Sequence, residues 1–154
     1  MKRSCMVSTS VLAVLAVLAA CAAAPPAPVA FESGAVEFHA GDEIVVDEVL
    51  SSCGRIEPGA LLTVRGRYRL ASRDSGTLYL GTTVEGDGAV EGEGKRSSCI
   101  VARGAGTFEL QHRVPAPGHL HVSFYDLGSG AAFGGRYFGN GPSLLLAKNW
   151  SYLR

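Results

Sequence analysis

The sequence predicts an all-β domain, a β-sandwich of Ig-like or jelly-roll type built from about eight short antiparallel strands. Three observations carry that expectation. From Ala35 onward, short runs alternate apolar and polar residues, as a strand with one buried face does. Glycines interrupt those runs every few residues and supply turn signals. No stretch keeps apolar residues three and four apart for long enough to make a helix of ordinary length.

The chain opens differently. Met1-Lys2-Arg3 is positively charged, and Val11 to Ala20 is a ten-residue apolar run. That run is too short to span a bilayer, which needs about 20 apolar residues. Pro25, Pro26 and Pro28 stop a helix from continuing beyond it. These are the features of a signal peptide. The run ends in Leu18-Ala19-Ala20-Cys21, which resembles the lipobox of bacterial lipoproteins: a branched apolar residue, two small residues and a cysteine.

That resemblance implies a signal peptide over 1–20, cleavage before Cys21, and acylation of Cys21 with two or three chains. One chain binds a membrane only marginally, whereas two or more hold firmly. It also implies a lipid-anchored protein of the cell envelope. In bacteria with two membranes, a residue other than Asp after the cysteine, here Ala22, goes with outer-membrane sorting. The competing reading is a plain secretory leader, but a cut after Ala24 would leave Pro25 as an unfavourable first residue. Residues 21–34, rich in Ala and Pro, read as a semi-rigid tether. Residues 35–154 read as the folded domain, large enough for one real core.

Strands are expected near 35–39, 43–50, 60–71, 77–84, 98–103, 106–114, 119–126 and 143–152. In 61–70, Leu62, Val64, Tyr68 and Leu70 point one way, while Thr63, Arg65, Arg67 and Arg69 point the other. In 107–114, Phe108, Leu110, His112 and Val114 share a face, opposite Glu109, Gln111 and Arg113. In 119–125, Leu120, Val122 and Phe124 point inward and leave His119, His121, Ser123 and Tyr125 opposite. Pro115-Ala116-Pro117-Gly118 joins those two runs as a tight turn. Residues 86–94 read as an acidic hairpin tip, and 128–141 as a long glycine-rich loop.

Charge narrows the function. The formal net charge is zero with Lys2 and Arg3 included; without them 12 basic residues face 14 acidic ones, leaving −2. A nucleic-acid binder would show a basic face, and a polybasic membrane patch is absent as well. Cys5 leaves with the leader and Cys21 takes lipid, so Cys53 and Cys99 remain as an even pair. In an oxidising compartment they are expected to form a disulfide, credited with about 4 kcal/mol by chain entropy. The alternative is two reduced cysteines in the core.

Among candidate sites, His119 and His121 have a spacing able to chelate Zn, Cu or Ni, with His39 or Asp126 as a third ligand. The base rate for polar strand faces favours two exposed histidines instead. Arg65, Arg67 and Arg69, with Arg73 beyond, suit an anionic ligand or, more ordinarily, ion pairs with neighbouring strands. Glu85, Asp87, Glu91 and Glu93 fail the EF-hand pattern, because Arg96 stands where its closing Glu belongs. Phe133, Tyr137 and Phe138 in the long loop are the leading ligand surface, unless they fold inward over the core. The Gly-x-Ser-x-Gly nucleophile elbow does not occur, and no cofactor is expected. The expected role is therefore non-catalytic: an anchored envelope protein, not an enzyme, whose partner is an envelope polysaccharide or protein. A metal-binding domain or metalloenzyme using His119 and His121 is the first alternative. A periplasmic inhibitor of a wall-degrading enzyme is the second.

Overall fold

The structure is a computed structural model that describes residues 25–84, 88–90 and 96–140. The segment read as a signal peptide, Cys21, most of the acidic tip and the strand expected over 143–152 lie outside the described residues. Within them the chain is all-β, in the order β1 (Ala27–Pro28), β2 (Glu32–Glu37), β3 (Glu43–Ser51), β4 (Leu61–Val84), β5 (Gly88–Val90), β6 (Ser98–Arg113), β7 (His119–Tyr125) and β8 (Ala132–Gly139). Every pairing is antiparallel. The strands form one sheet in the order β1-β3-β4-β7-β8-β2, with β5 and β6 also paired to β4.

Where two separate sheets were expected, this is one continuous sheet that curls into a half-barrel. The cause is the length of β4 and β6. Runs read as separate strands over 60–71 and 77–84 are one 24-residue strand, and 98–103 joins 106–114 in the 16-residue β6. The register between them shifts between Leu70 and Ser75, which marks the bend. On the β6 side the bend passes through Gly104 at φ +124°, a conformation side chains disfavour. On the β4 side the buried Asp42 carboxylate accepts hydrogen bonds from Ala71 N, Ser72 N and Ser72 Oγ. A polar stretch that looks like a turn therefore continues as strand around a corner.

The curl brings distant parts together. Gln111 N donates to Arg96 O at 3.0 Å, so the two ends of β6 meet. Arg136 Nε of β8 donates to Ile44 O of β3 at 2.7 Å. Inside lie Leu62, Leu70, Leu78, Leu80, Leu110 and Phe124, all fully buried. The inward face expected for 107–114 is the buried one, and in 119–125 the expected inward residues are buried together with His121 and Ser123 of the opposite face. Burial of this apolar set, at roughly 25 cal/mol per Å² of surface removed from water, drives the curl.

Three expectations are corrected. First, the glycine-rich loop over 128–141 is mostly strand β8, paired to β7 on one side and β2 on the other. Its glycines hid the alternation; before β8 lies the Asp126–Gly130 turn, where Asp126 Oδ1 accepts from Gly128 N and Ser129 N. Second, the packed domain starts at Ala27, inside the stretch read as tether. Ala27 and Pro28 pair with Ser51 and Leu50, and Phe31 meets Phe138 edge-on at 6.1 Å. Third, Cys53 and Cys99 are not bridged. Cys53 is exposed on the turn after β3, its Sγ 3.5 Å from Arg55 O and Glu57 Oε1, whereas Cys99 packs half-buried against the core from β6. An even count of cysteines carries no information on whether their Cβ vectors converge.

Candidate functional site

The alternation of β7 puts His119, His121, Ser123 and Tyr125 on the face away from the core. Register sets their neighbours: Thr83 stands beside His119, Gly81 beside His121, and Tyr79 beside Ser123, all on β4. Tyr137 of β8 stands beside His121 on the other side. Gly81 is what allows the Tyr79 ring to lie over this row, because a Cβ there would meet Tyr79 Cε1 at 2.3 Å.

The rings form one cluster. Tyr79 and Tyr125 contact edge-on with centroids 5.6 Å apart. Tyr137 meets His121 at 5.6 Å and His119 at 6.1 Å, both edge-on, and Tyr79 lies 6.2 Å from His121. This geometry suits the quadrupoles of aromatic rings. The face is not the solvated one expected: His121 is 2% exposed, Ser123 3% and Tyr137 4%.

Burial sets the electrostatics. It pushes the His121 imidazole down to about 4, with nearby His112 adding to the effect. Burial also pushes the Tyr125 phenol up to about 12, reinforced by Tyr79 and Tyr137. At neutral pH both side chains are therefore uncharged. His121 Nδ1 lies 2.9 Å from Ser123 Oγ, while its buried Nε2 has no hydrogen-bond partner among the described residues. His119 Nδ1 and Thr83 Oγ1 are buried without one as well.

The other candidates separate from this cluster. Phe133 and Phe138 are core residues; Phe133 stacks on Phe124 with centroids 5.6 Å apart and planes 10° apart. The register irregularity between Phe124 and Tyr125 turns Phe133 inward, so no aromatic loop surface exists there. Only Tyr137 of that trio reaches the outer face. His39 sits beside Phe133, and Asp126 is engaged by its own turn and by Arg73 at 2.8 Å. Neither completes a metal site with His119 and His121. Among the described residues no group of three or more His, Cys, Asp or Glu side chains could hold a metal ion.

The arginine row is answered by acids, as the ordinary reading had it. Arg65 pairs with Glu109 at 2.7 Å and Glu48 at 2.9 Å. Arg67 forms a two-pronged pair with Asp47, both contacts 2.9 Å, and this holds the Asp47 carboxyl below the usual range. Arg69 stands exposed opposite Glu43 and makes no ion pair among the described residues. A hollow of about 220 Å³ at the other end of the strands is lined by Ile56, Pro58, Val114, Leu120, Phe138 and Asn140.

Sequence reasoning placed His119, His121, Ser123 and Tyr125 together but missed Tyr79 and Thr83. Their signal was present: Thr77, Tyr79, Gly81 and Thr83 alternate with Leu78, Leu80 and the buried Thr82. No family model, no curated protein and no solved structure matches this chain. No helix among the described residues is long and apolar enough to cross a membrane.

Proposed function

We propose that the protein is an exported lipoprotein, held at the cell envelope by acylated Cys21, whose β domain is a non-catalytic binding or supporting module. One observation carries the reading: Leu18-Ala19-Ala20-Cys21 closes a short apolar run behind a basic N-terminus. The fold is compatible with that arrangement. Paired structure begins at Ala27, so the span from Cys21 is at most about 3.5 Å per residue, or roughly 20 Å. A domain on so short a leash stays against the membrane surface and meets partners fixed in the envelope.

An envelope polysaccharide or protein remains the partner proposed. The surface offered to it is the exposed side of β3, β4 and β6, where arginines and carboxylates are arrayed in fixed pairs. Such an array suits a polar partner with alternating donors and acceptors, not a purely anionic one. The finer description as an Ig-like or jelly-roll sandwich gains no support from a sheet that curls as one piece.

The test is the mass of the N-terminal peptide from protein made in a bacterial host, with fractionation of a Cys21→Ser variant. A diacylated or triacylated Cys21, with the variant released from membranes, is the expected result. An unmodified cysteine, or a start elsewhere in the chain, overturns the anchor. Retention of the protein on purified envelope material, lost on Arg65→Gln/Arg67→Gln, tests the partner surface; unchanged retention removes that surface.

A further inference from the structure

We propose that His119 and His121 form a two-imidazole site for a borderline divalent cation, Cu2+ or Zn2+, with the Thr83 hydroxyl beside it. The inference does not depend on the anchor. Among the described residues four buried side-chain polar atoms lack a hydrogen-bond partner, and besides His112 Nδ1 these are Thr83 Oγ1, His119 Nδ1 and His121 Nε2, from which it starts. They are not scattered. Thr83 and His119 are register partners on adjacent strands, and His121 is the next residue of β7 on the same face.

Unsatisfied polar atoms deep in a protein are rare, and each one needs a physical account. Three in adjacent positions are accounted for together by one guest that accepts lone pairs. All three can offer them. A proton on His121 Nδ1, donated to Ser123 Oγ 2.9 Å away, leaves Nε2 as a bare acceptor pointing the other way. That hydrogen bond is the support a metal-binding histidine ordinarily receives through its second nitrogen. Tyr137, edge-on to both imidazoles, holds the two rings from the β8 side.

The donor set selects the cation. Ca2+ and Mg2+ need carboxylate and carbonyl oxygens, and no acid takes part here. Imidazole nitrogens suit Cu2+ and Zn2+, with water completing the coordination. A water that accepts from the Thr83 hydroxyl and donates to the two imidazole nitrogens is the competing occupant, and metal titration separates the two.

The test uses the full chain, purified in detergent, stripped with chelator and titrated separately with Cu2+ and Zn2+. Calorimetry is expected to show one ion per chain, and the thermal midpoint to rise with the ion that binds more tightly. The electron paramagnetic resonance spectrum of the Cu2+ form is expected to show coupling to two imidazole nitrogens. His119→Gln should weaken binding at least about tenfold, and Ser123→Ala by roughly 10–100-fold through loss of ring orientation. Stoichiometric binding unchanged in His119→Gln overturns the site. So does the absence of a bound ion, or coupling to fewer than two nitrogens in the unaltered protein. That last reading decides the matter even where a variant fails to fold.

Discussion

Thr82 Oγ1 lies 2.7 Å from His112 Nε2 in the interior of the domain. His112 pairs in register with Leu62, near the start of β4, whereas Thr82 stands near the end of the same strand. The contact therefore stitches together two ends of a single bent strand. His112 is 0% exposed, and burial pushes its imidazole down to about 4.

Acid should loosen that stitch. In the unfolded chain a histidine takes up its proton near pH 6.5. The folded-state value is the lower one, so between about 6.5 and 4 the unfolded chain holds the extra proton. The stability His112 provides is thus complete above about pH 6.5, is lost as the pH falls toward 4, and changes no further below that. Urea unfolding across this window should show a slope up to about 1.4 kcal/mol per pH unit steeper in the natural protein than in His112→Leu. Equal slopes would show that His112 titrates normally.

Gly66 sits where β3, β4 and β6 pack most tightly. A Cβ there would stand 2.1 Å from Val45 O and 2.6 Å from the Phe108 ring. The oxygen belongs to the neighbouring strand's backbone and cannot step aside. Gly66→Ala should cost about 3 kcal/mol in urea unfolding. Gly128→Ala, whose Cβ would only touch Asp126 Oδ1 at 3.4 Å, should change stability by less than about 0.5 kcal/mol. Similar values for the two would contradict the packing described.

The corner of β4 hangs on Asp42. Replacing it with Ala removes an acceptor from Ala71 N, Ser72 N and Ser72 Oγ at once. Hydrogen bonds to a charged group contribute about 1.5–3 kcal/mol each, and part of that is regained from water. A loss of about 3 kcal/mol is expected for Asp42→Ala, with Asp42→Asn in between. A neutral Asp42→Ala would show that the bend is held by packing alone.

Cys53 and Cys99 should behave as independent thiols. Cys53 is exposed and should be alkylated at once, while Cys99, half-buried and with its thiol pushed up by burial, should react slowly. Reductant should leave the melting midpoint unchanged. Loss of a true bridge costs about 2–5 kcal/mol, so a reductant-dependent midpoint would restore the disulfide.

How much of this was legible in the residues depends on what each pattern encodes. The inward rows Phe108-Leu110-His112-Val114 and Leu120-Val122-Phe124 were readable, because a period of two is a local property of the chain. The corner was not. Ser72-Arg73-Asp74-Ser75 carries turn composition, and it is tertiary contacts, from the Asp42 carboxylate and from Arg103 to Ala71 O and Asp74, that keep the backbone in strand there. β8 was missed because Gly134, Gly135 and Gly139 dilute its pattern. The site was half legible. Alternation put the two histidines on one face, but whether that face meets water is decided by what packs over it, which no local pattern records.

The pairing of Glu32 with Gly139 and Glu37 with Gly135 has a consequence in time. β2 (Glu32–Glu37) leaves the ribosome well before its partner β8 (Ala132–Gly139). Contacts so far apart in sequence form slowly, because the intervening polypeptide must be ordered first. At about 5–20 residues per second of synthesis, the N-terminal strand waits several seconds as bare, unpaired polypeptide. Until β8 follows, β7 and β2 each keep an open edge, so the half-made sheet is the species most exposed to wrong pairing.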